Sequence, residues 1–129
     1  MVVVAAGWAS FRGFPWQKSD GDKAKAVIEP FTQALRQRDF VQACALLAQT
    51  APAKRSGTAA CPSRLRAANA RVVGMQLRKV DVDVDGHENG KLYISAFEPG
   101  GPFDLGPVYR FTLVREDGSL RIEHIDGLF

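Results

Sequence analysis

The chain is poor in the residues that usually announce a chemistry. Of 129 residues only two are cysteine, Cys44 and Cys61, and their spacing is neither C-x-x-C nor a zinc-ligand pattern. His87 and His124 lie too far along to complete one. No Ser-His-Asp order, glycine-rich phosphate loop or metal-ligand cluster can be read, and Gly100-Gly101 between Pro99 and Pro102 is a loop breaker, not a phosphate cradle. There is no internal repeat and no low-complexity tract. No cofactor is therefore expected and no metal site is assigned.

Acidic residues are missing from one stretch. Between Phe40 and Val80 there is none, against seven basic ones: Lys54, Arg55, Arg64, Arg66, Arg71, Arg78 and Lys79. The other ten basic residues share the chain with all 14 acidic ones, so a formal net charge of +3 conceals a basic middle and an acidic remainder. Such a middle faces solvent, phosphate, an anionic membrane or an acidic partner. No aromatic residues interleave with these cations, which argues against nucleic acid.

A long hydrophobic run is missing as well. Val2 to Ala6, with Trp8 and Phe11 following, is apolar for only about half of the roughly 20 residues a bilayer span needs. No Lys or Arg precedes it, so the charged start of a signal peptide is lacking. Residues 1–20, with Trp8, Phe11, Phe14 and Trp16, read either as the remnant of a membrane anchor or as an apolar arm that packs on the domain or a partner. Residues 21–129 read as one domain. Its 46% hydrophobic and 24% charged composition is that of an ordinary globular chain.

What is present is helix first and strand later. Val27, Phe31, Ala34 and Leu35 recur at helical spacing, and Phe40, Ala43, Cys44 and Leu47 repeat the pattern after a break. Ser19 or Asp20 can cap the first helix and Asp39 the second. Pro30 requires the first helix either to begin near Ile28 or to bend. Pro62 opens a short third helix over 63–70 with Leu65 inward. Everything after Arg71 reads as strand: Val73, Met75 and Leu77 on one parity, then Val80, Val82 and Val84 on the other, with a bulge or corner near Arg78. A turn over 85–90 leads to Leu92, Ile94 and Ala96, an exposed loop fills 99–107, and a second hairpin turns at 116–119 before Leu120, Ile122 and either His124 or Ile125. Helices followed by an antiparallel meander make the class α+β.

Cys44 and Cys61 read as a disulfide tying the second helix to the loop after it, which places the chain in an oxidising, extracytoplasmic compartment; two buried reduced thiols are the alternative. The run Asp81-Val82-Asp83-Val84-Asp85-Gly86 opens like a calcium loop. It fails at its twelfth position, Leu92, so an outward acidic strand face is expected.

The helix bearing Val27, Phe31 and Leu35, the run from Asp39-Phe40 to Leu47, Cys61 with Leu65, and the hairpin from Phe111 to Ile122 together resemble the nuclear-transport-factor-2-like superfamily. The extracytoplasmic actinobacterial members are the nearest in pattern. That resemblance implies N-terminal helices packed in the concave face of a curved antiparallel sheet, a cone with an apolar pocket at its open end. It implies three activities. The first is a non-catalytic binding domain for a protein partner or small apolar ligand. The others are a small-molecule isomerase, dehydratase or hydrolase of the ketosteroid-isomerase type, and a module that pairs with a second copy through its sheet. Phe103 and Leu105 on the proline-rich loop, Trp8 and Trp16 on the arm, and Tyr93, Tyr109 and His124 on strands are the contact candidates, with His124 and Asp126 the best acid–base pair.

Overall fold

The computed structural model of the chain describes residues 16–55, 57–68, 70–99 and 108–126, the backbone alone at residues 16–19, Thr58 and Arg71. The expected aromatic arm before residue 16, and Phe103 and Leu105, lie outside the described residues.

Helix α1 runs Trp16–Arg36 and α2 Phe40–Ala45; 3₁₀ turns at Pro52–Lys54 and Thr58–Ala60 lead to α3 (Cys61–Ala67) and α4 (Arg71–Gln76). Strands β1 (Asp81–Glu88), β2 (Lys91–Phe97), β3 (Val108–Glu116) and β4 (Ser119–Ile125) form a four-stranded antiparallel sheet in sequence order. The helices pack against one face of this sheet, the α+β arrangement expected. Ala24, Ile28, Phe31 and Leu35 line the buried side of α1. They meet Leu92, Ile94 and Ala96 of β2, Phe111 and Leu113 of β3, and Ile122 and Ile125 of β4 in one cluster, with the rings of Phe31 and Phe111 edge to face at 6.3 Å.

Four readings are corrected. Helix α1 begins at Trp16, so Ser19 and Asp20 lie inside it and are not its caps. Gly21 lies within it, where a Cβ would make an ordinary van der Waals contact of 3.7 Å with the Val84 side chain. Of the two alternatives at Pro30, a helix start near Ile28 is excluded: α1 continues through Pro30 to Arg36, and Thr32 Oγ1 donates to the Glu29 carbonyl at 3.0 Å. The largest correction is at 71–77. These residues are helix α4 and its C-cap, not strand. Val73 and Leu77 are buried at i and i+4, whereas Met75 is 58% exposed. The parity change near Arg78 is therefore the end of a helix, not a bulge. The fourth concerns the turn over 85–90: β1 continues to Glu88, and only Asn89-Gly90, both at positive φ, turn the chain.

Asp39 caps α2 as expected, accepting from the Gln42 N–H at 3.1 Å. Pro62 lies in the first turn of α3, and Leu65 points inward. Cys44 and Cys61 are joined, tying α2 to the start of α3. Both cysteines are buried. Beyond β4 the sheet is extended by a parallel bridge from Leu47 to Ile122, where Ala48 N–H donates to the Ile122 carbonyl at 2.7 Å.

Candidate functional site

Two polar clefts hold most of the chemistry, one at the rim between α1 and the sheet and one on the sheet's outer face. The first depends on a bulge. Along β1, Val82 and Val84 face the helices, and strict alternation would send His87 outward. The register shifts between Val84 and Gly86, so His87 pairs with Leu92 and shares its helix-facing side. There its Nε2 lies 3.3 Å from Oδ2 of Asp20, a carboxylate in the first turns of α1 that is only 7% exposed. The cleft in front of them measures ≈ 420 Å³, and Lys23, Glu88, Lys91, Arg115 and Leu120 are among the residues of its wall. A nearly buried carboxylate beside an imidazole orients the ring, and the flanking cations suit an anionic guest. Neither Asp20 nor His87 was among the expected site residues. The only available signal was Gly86, directly after the acidic run, where a strand glycine marks a bulge.

On the outer face the cross-strand pairs line up. Tyr93 of β2 is opposite Thr112 of β3, and Thr112 is opposite His124 of β4. Two of the expected contact residues, Tyr93 and His124, thus share one row and one cleft of ≈ 450 Å³ with Thr50, Arg55 and Glu123. His124 reaches this face through a second irregularity. The register shifts between Thr112 and Leu113, leaving Glu123 as the extra residue, so Ile122 and Ile125 both point to the core. Asp126 Oδ1 holds His124 Nδ1 at 3.1 Å, which directs Nε2 away from Asp126. Lys91 Nζ lies 2.6 Å from Glu123 Oε1, and Thr50 Oγ1 donates to Oε2 at 2.6 Å. Those two hydrogen bonds, Lys91's first, hold the Glu123 carboxyl below the usual range, and the same contact raises Lys91. A second depression of ≈ 430 Å³ shares Tyr93 and Thr112 and adds Asp85, Ser95, Arg110 and Asp126, so the row is the middle of a continuous groove.

Tyr109 is not part of it. It lies on the helix-facing side of β3, hydrogen-bonded to Gln76 of α4, and burial pushes its hydroxyl pKa up. Trp16 starts α1. Asp81, Asp83 and Asp85 are exposed on β1; Asp85 accepts from Ser95 Oγ at 2.5 Å and Asp81 from the Val82 N–H at 2.9 Å. Among the described residues no three His, Cys, Asp or Glu are arranged to hold a metal ion.

Between α1 and the sheet, where the resemblance implied an apolar pocket, Ile28, Phe31, Leu35, Phe111 and Leu113 are fully buried against one another. The open clefts lie at the edge of that interface and outside it. Among the described residues no helix is long and apolar enough to cross a membrane. No family model, curated protein or solved structure matches this chain.

Proposed function

We propose that this chain is a non-catalytic binding domain of the nuclear-transport-factor-2-like kind that works outside the cytoplasm and receives a protein partner along the outer face of its sheet. The observation that carries the reading is the Tyr93–Thr112–His124 row, which puts an aromatic ring, a hydroxyl and an oriented imidazole at the centre of a groove. Aromatic anchors in a partly polar groove are what protein interfaces concentrate their affinity on. The buried Cys44–Cys61 disulfide supports the compartment, since such bonds persist where thiols are oxidised. The test is a photo-crosslinking residue at position 93 in the producing cell. A discrete product that disappears with His124→Ala is expected; no product, or an equal one from position 83 on the exposed β1 face, refutes the groove. A second copy of the chain is one such partner, and sedimentation at several concentrations identifies it.

The rim cleft supports a second reading, a small-molecule isomerase, dehydratase or hydrolase. Its support is the Asp20–His87 pair, a carboxylate-oriented imidazole at a pocket of substrate size. Turnover of enolisable ketones, epoxides or esters that is abolished by both His87→Ala and Asp20→Asn establishes it. Turnover unaffected by both removes it.

A further inference from the structure

The unevenness of charge along the sequence becomes an unevenness of faces in the fold. From Arg36 to Val80 the chain carries nine basic residues and one acidic residue, Asp39. This segment forms the layer of short helices α2 to α4 together with the C-terminal end of α1, whereas the aspartate row of β1 lies on the sheet. Three of these arginines gather where α4 crosses α1. There Gly74 brings the two backbones together, and Arg36, Arg38, Met75 and Arg78 surround a shallow cleft of ≈ 370 Å³ with no carboxylate in its lining. Arg36 is fixed, its guanidinium donating to the Gly74 carbonyl at 2.9 Å. Asp39 caps α2; Glu98 accepts the backbone N–H groups of Lys79 and Arg78, and those bonds, together with the charges of the two side chains, hold its carboxyl below the usual range.

Apolar side chains project from the same place. Met75 is 58% exposed and Val72, one turn earlier on α4, 41%. Large apolar groups in solvent among cations are unfavourable for an isolated surface. They are what an interfacial contact uses, the cations meeting lipid phosphates while the aliphatic groups enter the headgroup boundary. We infer that this arginine-framed face docks on an anionic lipid bilayer, with Arg38 and Arg78 meeting phosphates and Met75 and Val72 inserting between them. The docking is independent of the outer groove, which lies on the other side of the sheet and stays open to a partner.

The experiment is co-sedimentation of the full 129-residue chain with vesicles of pure phosphatidylcholine and with vesicles containing phosphatidylglycerol. Binding is expected to need the anionic lipid and to weaken as salt is raised. Each basic residue at such a surface contributes about fivefold, so Arg38→Gln/Arg78→Gln should weaken binding about 25-fold. Arg36 is left intact because it also holds the helix crossing. Asp83→Asn/Asp85→Asn, on the sheet, should bind as the parent does. A dye on Met75→Cys should shift to the blue with anionic vesicles, which reads insertion directly even if the double variant folds poorly. Any of three results overturns the inference: no preference for phosphatidylglycerol, unchanged binding by the folded double variant, or no shift of the dye. Poly-glutamate binding as tight as vesicle binding, again without the dye shift, assigns the face to an acidic protein instead.

Discussion

Replacing Gly74 by alanine sets two effects of opposite sign against each other. In an isolated helix alanine is better than glycine by about 1 kcal/mol, so propensity alone makes Gly74→Ala stabilising. The crossing of α4 over α1 opposes it. A Cβ at position 74 would lie 2.6 Å from the Arg36 nitrogen, 3.2 Å from its Cα and closer still to the Thr32 carbonyl oxygen. These are backbone atoms, so no rotamer change relieves the overlap, and the two helices must part. Parting loosens Val73 and Leu77, both buried, and draws the Arg36 guanidinium off the Gly74 carbonyl. Overpacking of this kind costs about 1–3 kcal/mol, and a backbone collision belongs at the upper end. With the propensity gain subtracted, Gly74→Ala should destabilise by about 2 kcal/mol, or about 6–10 °C in Tm for a domain of this size. Urea unfolding followed by far-ultraviolet circular dichroism, with unchanged m-values, measures it. A variant as stable as the parent would refute the close crossing.

Other outcomes follow from single contacts. Replacing both Cys44 and Cys61 by alanine should lower stability by about 3 kcal/mol in the chain-entropy model, and because both are buried, reductant should open the bond only when denaturant is added; thiol titration follows it. Asp39→Ala should cost about 1 kcal/mol by removing the acceptor for the Gln42 N–H, and Asp39→Asn should restore most of it in the same urea assay. Glu123 has a folded pKa below its ordinary 4.5, so its contribution is complete above that pH and is lost as pH falls through the lower folded value. Glu123→Gln should therefore flatten the acid limb of a stability–pH profile, by a small amount because the Lys91 pair is solvent-screened.

The parts of this fold that are legible in the sequence are those where burial and periodicity agree. On β2, Leu92, Ile94 and Ala96 alternate and all three are buried, and on α1 Phe31, Ala34 and Leu35 are buried as the helical period predicts, with Val27 half-buried beside them and Ile28 the inward residue it passed over. Reading fails where one residue breaks the correspondence. Val73, Met75 and Leu77 satisfy a period of two, but Val73 and Leu77 also satisfy i and i+4, and over six residues the two periods differ by Met75 alone. Gly74 between them was the better guide, because it admits a second helix. The rim site was hidden for a related reason. Alternation puts His87 outside, and the one-residue bulge before it, set by sheet geometry, brings it to Asp20. His124 could be placed on a strand but not on a face until the second bulge settled that Ile125 is the core residue.

The lipid-docking proposal rests on one structural property, the unusual construction of the helical layer. Helices of six or seven residues do not persist alone, and a segment with nine cations and one anion repels itself. Specific ties hold it instead. The disulfide joins α2 to α3, the Arg66 guanidinium stacks over the Phe40 ring at 5.6 Å, Lys54 Nζ donates to the Leu47 carbonyl at 2.9 Å, and Gly74 locks α4 onto α1. Two of these ties use a basic side chain, yet none neutralises one with a carboxylate. Where stability alone is the requirement, acidic partners at exposed positions relieve such repulsion at little cost. Arginines gathered around a cleft that no carboxylate lines, in a layer held together by a covalent bond and a close helix crossing, are the construction of a surface whose charge is meant for something outside the molecule.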